Sequence, residues 1–204
     1  MNPKVILVGG TSHTGKSTLA AAIADRQSRD SLSTDRLARH PGRPWGQKLP
    51  AHVAEYYQGR DGATLASDVL RHYRENVWPI VLAIVRARLN NPFDHPLVLE
   101  GSAVLPEQAG ALRSPDVHVV MLSASHEALG ERICTSCDWA TLTERERDAV
   151  QAFIDRTQAF DRLMRDQARS SGIQIESGGI DDVLSRIAGD QIDPSQVDRT
   201  AIDE

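Results

Sequence analysis

Aromatic residues are scarce in this sequence, which also has no excess of basic charge and no long apolar run. Aromatic residues make up 4% of the 204 residues, and 23 basic residues against 28 acidic ones give a formal net charge of -5. The arginines are scattered among acidic residues, with no basic stripe and no aromatic platform. Proteins that bind nucleic acid depend on such stripes and stacking surfaces. We therefore expect no nucleic-acid partner.

No apolar run has the length of a membrane span. The longest one outside the first predicted strand, Trp78 to Val85, is far shorter than the roughly 20 residues that cross a bilayer. The apolar run near the N-terminus is also short, and cleavage of a secretory signal there would remove the best motif of the sequence. We expect a cytoplasmic protein with no membrane partner, and the sequence predicts no oligomeric state.

The two cysteines, Cys134 and Cys137, form a single C-x-x-C pair. A structural zinc site usually takes a full tetrahedral set of Cys and His ligands. The sequence offers neither a second cysteine pair nor a closely spaced pair of histidines to complete such a set. We therefore interpret both residues as reduced thiols, with a zinc site or a redox pair as the alternatives.

Strand-like and helical runs alternate along the chain, which is typical of βαβ units and a parallel sheet. The predicted strands run from Lys4 to Val8, Leu32 to Thr34, Leu97 to Glu100, Val117 to Leu122 and Ile173 to Glu176. A chain of 204 residues buries one substantial core, so we predict a single α/β domain over 1–188. Its sheet is predicted to have about five parallel strands flanked by helices.

Helical blocks are predicted from Lys16 to about Gln27, from Leu65 to Leu89 and from Glu144 to Arg169. In the last block apolar residues recur at helical spacing, so one face of that helix is expected to pack on the core. The segment 39–62 is rich in proline and glycine and is predicted to form a loop beside the site. The polar, acidic segment 189–204 is predicted to be a loosely attached or disordered tail.

The most specific motif lies in VILVGGTSHTGKST, from Val5 to Thr18. Gly10, four intervening residues, then Gly15, Lys16 and Ser17 match the phosphate-loop pattern G-x-x-x-x-G-K-[ST] without a mismatch. A β-branched strand precedes the motif and a helix-favouring run follows it, as a phosphate loop requires. The alternative is a glycine-rich turn between strand and helix that binds no ligand.

A phosphate loop binds polyphosphate because its backbone N–H groups converge and the helix N-terminus adds partial positive charge. Lys16 is expected to reach the β- and γ-phosphates, and the Ser17 hydroxyl is expected to be a magnesium ligand. His13 occupies a variable position of the pattern, where we expect a side chain that faces solvent. The predicted nucleotide-binding residues of the loop are Gly10, Thr11, His13, Thr14, Gly15, Lys16, Ser17 and Thr18.

Two carboxylates follow predicted strands, at the edge where parallel α/β sheets bind their ligands. Asp35 follows the second strand, where it is placed to orient or deprotonate an attacking hydroxyl. Glu100 ends the third strand, where we expect an acid that holds magnesium through water. The alternatives are a helix N-cap for Asp35 and a strand-end salt bridge for Glu100.

The segments GGTSHTGKST, SLSTDRLAR and PLVLEGSAVLPE resemble the small-molecule branch of the P-loop kinases, and most closely 2-phosphoglycerate kinase and its relatives. The resemblance extends from Val5 to about Ile187 and implies a three-layer P-loop kinase fold. It also implies ATP and Mg²⁺ as cofactors and a small hydroxylated or phosphorylated acceptor. The later segment FIDRTQAFDRLMRDQARSSGIQIES resembles the family's helix before the last strand. Arg156 falls on the helix arginine of that family, a predicted nucleotide contact.

Phosphoryl transfer needs cationic stabilisation beyond the lysine and the metal. Arg132 is the first candidate, because it lies at the position of a lid in similar kinases, and we predict that lid at about 132–145. Arg156 is the second candidate. A central helical insertion at about 38–91 is expected to shape the acceptor pocket. The candidates to contact the acceptor are Arg36, Arg39, Arg43, His72, Tyr73 and Trp78. The alternatives are solvated helix positions for the arginines and core packing for the aromatic residues.

Together these patterns predict an ATP- and magnesium-dependent phosphotransferase that moves the γ-phosphate to a small metabolite. One alternative is a nucleotide-binding switch or slow ATPase with a regulatory role. No N-K-x-D base-recognition segment follows the fourth predicted strand, where the chain reads LSAS, and this disfavours a guanine-specific switch. Another alternative keeps the chemistry but has an antibiotic or a nucleotide sugar as the acceptor.

Overall fold

A computed structural model of the chain describes residues 2–37, 42–45 and 51–190. Its strands are β1 (Val5–Gly10), β2 (Asp30–Ser33), β3 (Leu97–Glu100), β4 (Val117–Leu122) and β5 (Ile175–Glu176). They form one parallel sheet in the order β2-β3-β1-β4-β5, with β1 in the centre. The predicted α/β fold with five parallel strands is confirmed. Most of the predicted tail, from residue 191 onward, lies outside the described residues.

Helices connect the strands and cover the sheet. They are α1 (Lys16–Gln27), α2 (Ala51–Tyr57), α3 (Gly62–His72), α4 (Trp78–Asn90), α5 (Pro106–Gly110), α6 (His126–Ser136), α7 (Glu144–Ser170) and α8 (Ile180–Asp190). The predicted block from Leu65 to Leu89 is divided, because a π-helical turn, Tyr73–Val77, separates α3 from α4. Pro79 in the first turn of α4 has no backbone N–H to continue an α-helical ladder, and the N–H of Trp78 donates to the Tyr73 oxygen.

The side chains of β1 alternate between two helical layers, which explains its continuous apolar sequence. Val5 and Leu7 pack on the face that α4 covers. Ile6 and Val8 pack on the face that α1 and α8 cover. All four side chains are fully buried. Helices therefore lie on both faces of the sheet, as a three-layer fold requires.

Three strands differ from their predicted bounds. β2 is Asp30–Ser33 rather than Leu32 to Thr34, because these four residues pair with Leu97–Glu100 of β3. β1 continues two residues beyond Val8, because Gly9 and Gly10 pair with Met121 and Leu122 of β4. β5 begins at Ile175, because Ile173 packs with the buried side chains of α7 before the chain reaches β4. No helix within the described ranges combines the length and the apolar character that a bilayer span requires.

The longest helix, α7, carries several side chains of the site. A capping box begins it: the Thr143 hydroxyl accepts from the N–H of Glu146 at 3.4 Å, and the Glu146 carboxylate accepts from the N–H of Thr143 at 2.9 Å. The helix packs along α3 and buries one apolar face, as its periodicity predicts. This packing orients Phe153 and Arg156 toward the carboxyl end of β1.

Candidate active site

The phosphate loop joins the end of β1 to the start of α1. Gly10 and Gly15 have φ angles of 137° and 93°, in the left-handed region that glycine adopts without strain. A Cβ on Gly10 would lie 2.3 Å from the backbone oxygen of Leu122, so no larger residue fits there. Between the two glycines, His13 has a φ of 64°, which is uncommon for a residue with a side chain. Such a turn directly before a helix N-terminus is the arrangement that binds phosphate.

Lys16 is the first residue of α1 and its side chain lies against the loop. Nζ donates a hydrogen bond of 2.6 Å to the backbone oxygen of Thr11, which also accepts one of 2.9 Å from the Thr14 hydroxyl. Lys16 is 8% exposed. Burial lowers the pKa of its ammonium, and the nearby carboxylates of Glu100 and Asp35 oppose that shift. The loop therefore carries a desolvated cation on which both predicted carboxylates act.

The Ser17 hydroxyl and the Glu100 carboxylate meet at the carboxyl ends of β1 and β3. Ser17 Oγ donates a hydrogen bond of 3.2 Å to Glu100 Oε1, and Glu100 is 5% exposed. Val8 of β1 and Glu100 of β3 are direct partners in the sheet, which positions the carboxylate beside the loop. Mg²⁺ in phosphoryl-transfer sites takes carboxylate oxygens together with phosphate oxygens and water. These two side chains fit the predicted magnesium site.

A cavity of about 300 Å³ opens beside the loop, next to the turn that follows β2. We call it the Asp35 cavity, and its lining includes Ser12, Asp35, Arg43, Tyr73, Ser102 and Arg156. Asp35 is the middle residue of a 3-10 turn, Thr34–Arg36, whose N-cap is Ser33. The Ser33 hydroxyl accepts a hydrogen bond of 3.3 Å from the N–H of Asp35. The cap of this turn is therefore Ser33, and the exposed Asp35 carboxylate lines the cavity.

Arg156 of α7 is a buried cation in the wall of the Asp35 cavity. It is 9% exposed, and its guanidinium lies 4.3 Å from the centroid of the Phe153 ring. Nη1 donates a hydrogen bond of 2.7 Å to the Tyr57 hydroxyl, which donates one of 2.7 Å to the backbone oxygen of Gly42. No carboxylate within the described ranges forms a salt bridge with Arg156. The structure thus places Arg156 in the same cavity as Asp35. The family resemblance implies instead that Arg156 contacts the nucleotide.

The residues predicted to contact the acceptor have different environments. Arg43 and Tyr73 line the Asp35 cavity. Trp78 packs in the apolar core between α4 and the sheet, so core packing is its observed role. Arg39 lies outside the described residues. The parts of the predicted insertion that reach this cavity are Gly42 and Arg43, α3 and the π-helical turn, while α4 covers the sheet.

A second cavity, of about 560 Å³, opens on the α6 side of the loop. We call it the Arg132 cavity, and its lining includes His13, Gly15, Ser123, Arg132, Gly178 and Ile180. Arg132 Nη1 donates a hydrogen bond of 2.9 Å to the backbone oxygen of His13. The predicted lid comprises the end of α6, a 3-10 turn at Trp139–Thr141 and the start of α7. Its first arginine is therefore bonded to the phosphate loop.

Consecutive residues of the phosphate loop line the two cavities. Thr11 and Ser12 line the Asp35 cavity. His13, Thr14 and Gly15 line the Arg132 cavity. A phosphate group bound by this loop therefore lies next to both spaces.

His13 is half-buried, whereas its variable position in the loop predicts a side chain that faces solvent. Its half-buried ring packs against the rings of Trp45 and Phe153, with centroid distances of 6.0 and 6.3 Å. Nδ1 lies 2.9 Å from the Ser12 hydroxyl oxygen, and Nε2 lies 3.1 Å from that of Ser136. The side chain thus connects the loop to the end of α6 and to the aromatic wall of α7.

Both cysteines lie at the end of α6 as free thiols. Cys137 is buried, and its Sγ donates a hydrogen bond of 3.3 Å to the backbone oxygen of Cys134. In the part of the chain that the structure describes, no three His, Cys, Asp or Glu side chains cluster in a way that could hold a metal ion. The thiols are therefore not part of a closed zinc site formed by those residues.

Comparison with solved structures finds kinases among the similar proteins, all at low sequence identity. A gluconokinase from Sinorhizobium meliloti 1021 is 18% identical, with a TM-score of 0.48, over 93% of this chain and 95% of that chain. Shikimate kinase from Acinetobacter baumannii in complex with shikimate is 16% identical, with a TM-score of 0.43, over 95% and 97%. No protein-family model matches the chain, and no curated protein sequence matches it. The function is therefore inferred from the geometry of the site.

Proposed function

We propose that the protein is an ATP- and magnesium-dependent kinase of a small metabolite. The observation that carries this proposal is the position of the phosphate loop between two cavities. A γ-phosphate held by the loop would face the rest of the nucleotide on one side and an acceptor hydroxyl on the other. A switch that only binds and hydrolyses a nucleotide needs no acceptor cavity, so the second space favours a kinase.

We assign the Arg132 cavity to the nucleotide. Its volume of about 560 Å³ falls in the range of small-molecule sites, and it begins at the phosphate loop. The phosphates would bind the loop N–H groups and the positive end of α1, with the Lys16 ammonium as a further cation. Arg132, 2.9 Å from the loop backbone, is the side chain best placed to stabilise charge that develops during transfer.

Ser17 and Glu100 are the residues that would hold Mg²⁺. Their oxygens lie 3.2 Å apart beside the loop, and both are of the kind that this hard cation prefers. When bound, the metal would neutralise part of the charge on the phosphates. We assign Ser17 to direct coordination and Glu100 to coordination through water.

We assign the Asp35 cavity to the acceptor. Its volume of about 300 Å³ is at the lower end for small-molecule sites, which favours a compact metabolite over an antibiotic or a nucleotide sugar. The Asp35 carboxylate would accept the proton of the attacking hydroxyl. As that oxygen bonds to the γ-phosphorus, the bond between the γ-phosphorus and the ADP oxygen breaks.

Arg156 favours an acceptor that carries an anionic group. A buried cation is strongly disfavoured by desolvation when it has no anionic partner, and the described residues offer Arg156 no salt bridge. Its hydrogen-bond partner, Tyr57, is a neutral phenol whose pKa burial raises further. Arg43 adds a second positive charge to the same cavity. A carboxylate or phosphate group of the acceptor would bind these arginines while its hydroxyl faces Asp35.

A panel of acceptors tests the proposal through ADP release above the acceptor-free rate. The panel contains hydroxylated carboxylates, phosphorylated hydroxy acids, neutral sugars and amino alcohols, and the Lys16→Ala variant reports contaminating kinases. We expect at least one anionic, hydroxylated acceptor to raise ADP release in the wild type and none in the variant. If no acceptor does so while the bound nucleotide alters binding to a protein partner, the kinase proposal is wrong and the switch is supported.

A further inference from the structure

The hydrogen bonds of His13 indicate which ring nitrogen carries the proton. The Ser136 hydroxyl donates to the backbone oxygen of Ile133 at 2.9 Å, so its oxygen is an acceptor toward His13. Nε2 of His13 is therefore the N–H donor, and Nδ1 accepts from the Ser12 hydroxyl at 2.9 Å. A serine hydroxyl also accepts when it rotates, so both ring nitrogens have an acceptor within reach if the ring is protonated.

Besides burial, three cations lower the pKa of the His13 imidazole: Arg43 of the segment 42–45, Lys16 of α1 and Arg132 of α6. Burial is the largest cause that lowers the pKa of His13, followed by the charges of Arg43, Lys16 and Arg132, and together they lower it to about 4. From α7 the ring faces Phe153, which carries no charge. His13 is therefore neutral near pH 7 in this arrangement, although its two hydroxyl partners accommodate an imidazolium.

We propose that His13 takes up one proton when a nucleotide polyphosphate binds at the loop. The resulting imidazolium is an additional cation, and its hydrogen bonds position the loop. This inference rests on the proposed function, because the polyphosphate is the ligand that brings negative charge to Lys16 and Arg132. That charge offsets two of the three repulsions on the imidazole and adds an attraction. The proton passes from solvent to Nδ1, and the Ser12 hydroxyl turns from donor to acceptor.

Protonation would also tighten the link between the loop and α6. The Nε2 hydrogen bond to Ser136, at 3.1 Å in this structure, would become a charge-assisted one. Ser136 is the last residue of α6, the helix that carries Arg132. Nucleotide binding, the charge of His13 and the position of the Arg132 helix would thus change together.

Thermodynamic linkage gives the size of the expected effect. The pKa is about 4 in the protein without nucleotide. Burial and Arg43 still act in the complex, and the inference is that the attraction of the polyphosphate offsets them and brings the pKa to about 6.5. Because the bound state then has the higher pKa, the gain in affinity is present below about pH 6.5 and is lost as the pH rises through that value. Nucleotide should bind about tenfold more tightly near pH 5.5 than near pH 7.5, with uptake of about 0.9 and about 0.1 proton respectively.

Isothermal titration calorimetry measures this uptake directly, with the magnesium complex of a non-hydrolysable ATP analogue as the probe. Titrations in two buffers of different ionisation enthalpy give the number of protons bound. His13→Asn is the test variant, because asparagine tolerates a positive φ and keeps a polar side chain but does not titrate. His95→Asn is the matched control, since His95 is exposed and precedes β3 at the opposite edge of the sheet from the loop.

We expect the wild type and His95→Asn to take up about 0.9 proton more than His13→Asn near pH 5.5, and nearly equal numbers near pH 7.5. Protons that the nucleotide analogue itself binds or releases are the same in all three experiments and cancel when the proteins are compared. Equal uptake by the wild type and His13→Asn would overturn the inference while leaving the proposed function intact. Failure of the wild type to bind the analogue at either pH would instead contradict the proposed function.

A second measurement applies if His13→Asn does not fold or bind. NMR of the wild type with labelled histidines follows each of the seven imidazoles, and the rings of the other six are assigned by single substitution. The His13 signal should titrate near pH 4 without nucleotide and near pH 6.5, a rise of about 2.5 units, with the analogue bound. A titration midpoint that does not change on binding refutes the proton uptake.

Discussion

Tyr57 accepts a hydrogen bond of 2.7 Å from Arg156, and this bond joins α2 to α7 at the wall of the Asp35 cavity. The same hydroxyl donates to the backbone oxygen of Gly42. Arg156 therefore has a structural contact on one side and an open cavity on the other. Substitutions of Arg156 and of Tyr57 therefore distinguish the role of Arg156 in the cavity from its structural role.

Arg156→Gln should raise the KM of an anionic acceptor by about tenfold or more, because a hydrogen bond to a charged group contributes about 1.5–3 kcal/mol. The KM of ATP should change little. Tyr57→Phe is the matched control: it keeps the charge of Arg156, so the acceptor KM should change much less, while the Tm falls through the lost buried hydrogen bonds. Steady-state kinetics and thermal unfolding give these numbers. A rise in the KM of ATP as large as the rise in the KM of the acceptor would indicate that Arg156 contacts the nucleotide.

Lys16→Ala should remove phosphoryl transfer and leave the protein folded. The ammonium lies in the phosphate loop and outside the apolar clusters of the core, so the Tm should stay close to that of the wild type. Turnover with an acceptor should fall on the order of a hundredfold or more, because positioning and charge stabilisation account for nearly all of this chemistry. Circular dichroism checks the fold and coupled ADP release checks the rate. Near-normal turnover would contradict the assignment of the phosphate loop.

Asp161 should be important for stability, because it is 1% exposed and organises the turn after β4. Its carboxylate accepts from the Ser123 hydroxyl at 2.8 Å and from Arg165 Nε at 2.6 Å. Asp161→Asn leaves a buried charged network incomplete and should lower the free energy of unfolding by about 1–3 kcal/mol. Asp166→Asn, at an exposed position of the same helix, should change it by less than about 0.5 kcal/mol. Urea unfolding compares the two, and equal effects would show that the network is not important.

The phosphate loop and the central strands were predictable because their signals are local. VILVGGTSHTGKST carries its strand, glycines, lysine and helix start within one short stretch, so no tertiary information is needed. β3 and β4 have the predicted bounds because both are continuous apolar runs. The division of the block from Leu65 to Leu89 was missed, because helical periodicity continues through the π-helical turn before Pro79.

The environments of His13 and Arg156 were not predictable, because they arise from residues far apart in the sequence. The ring of His13 contacts Trp45, Phe153 and Ser136, which come from three separate segments. Nothing in the loop pattern encodes those partners. Arg156 was expected at the nucleotide from a motif position alone, and only the tertiary packing of α7 shows that it lines the Asp35 cavity.

Arg132→Ala should lower kcat more than it weakens ATP binding. Arg132 contacts the loop through the backbone oxygen of His13, at the edge of the cavity assigned to the nucleotide, so its charge is expected to act on the transferring phosphate. We expect kcat to fall on the order of a hundredfold, with a change in ATP affinity of less than about fivefold. Arg162→Ala, at an exposed position of α7, is the control and should change neither. If Arg132→Ala behaves like that control, Arg132 is a surface residue without a role in transfer.

Asp35→Asn distinguishes a carboxylate that accepts a proton from one that only shapes the cavity. Asparagine has nearly the same shape but is not basic, so acceptor-dependent turnover should fall on the order of a hundredfold or more. The Tm should persist, because Ser33 rather than Asp35 caps the turn. ATP with magnesium should still bind, because the phosphate loop and the pair of Ser17 and Glu100 are unchanged.

Ser33→Ala is the counterpart that separates capping from chemistry at this turn. It removes the hydroxyl that accepts from the N–H of Asp35, so it should lower the free energy of unfolding by about 0.5–2 kcal/mol while the folded protein keeps most of its turnover. Retained turnover in Asp35→Asn would refute the proton-accepting role. Loss of nucleotide affinity in Asp35→Asn would instead indicate that Asp35 belongs to the metal site. Loss of turnover in Asp35→Asn alone, with nucleotide affinity and Tm retained, is the result that the geometry of the cavity predicts.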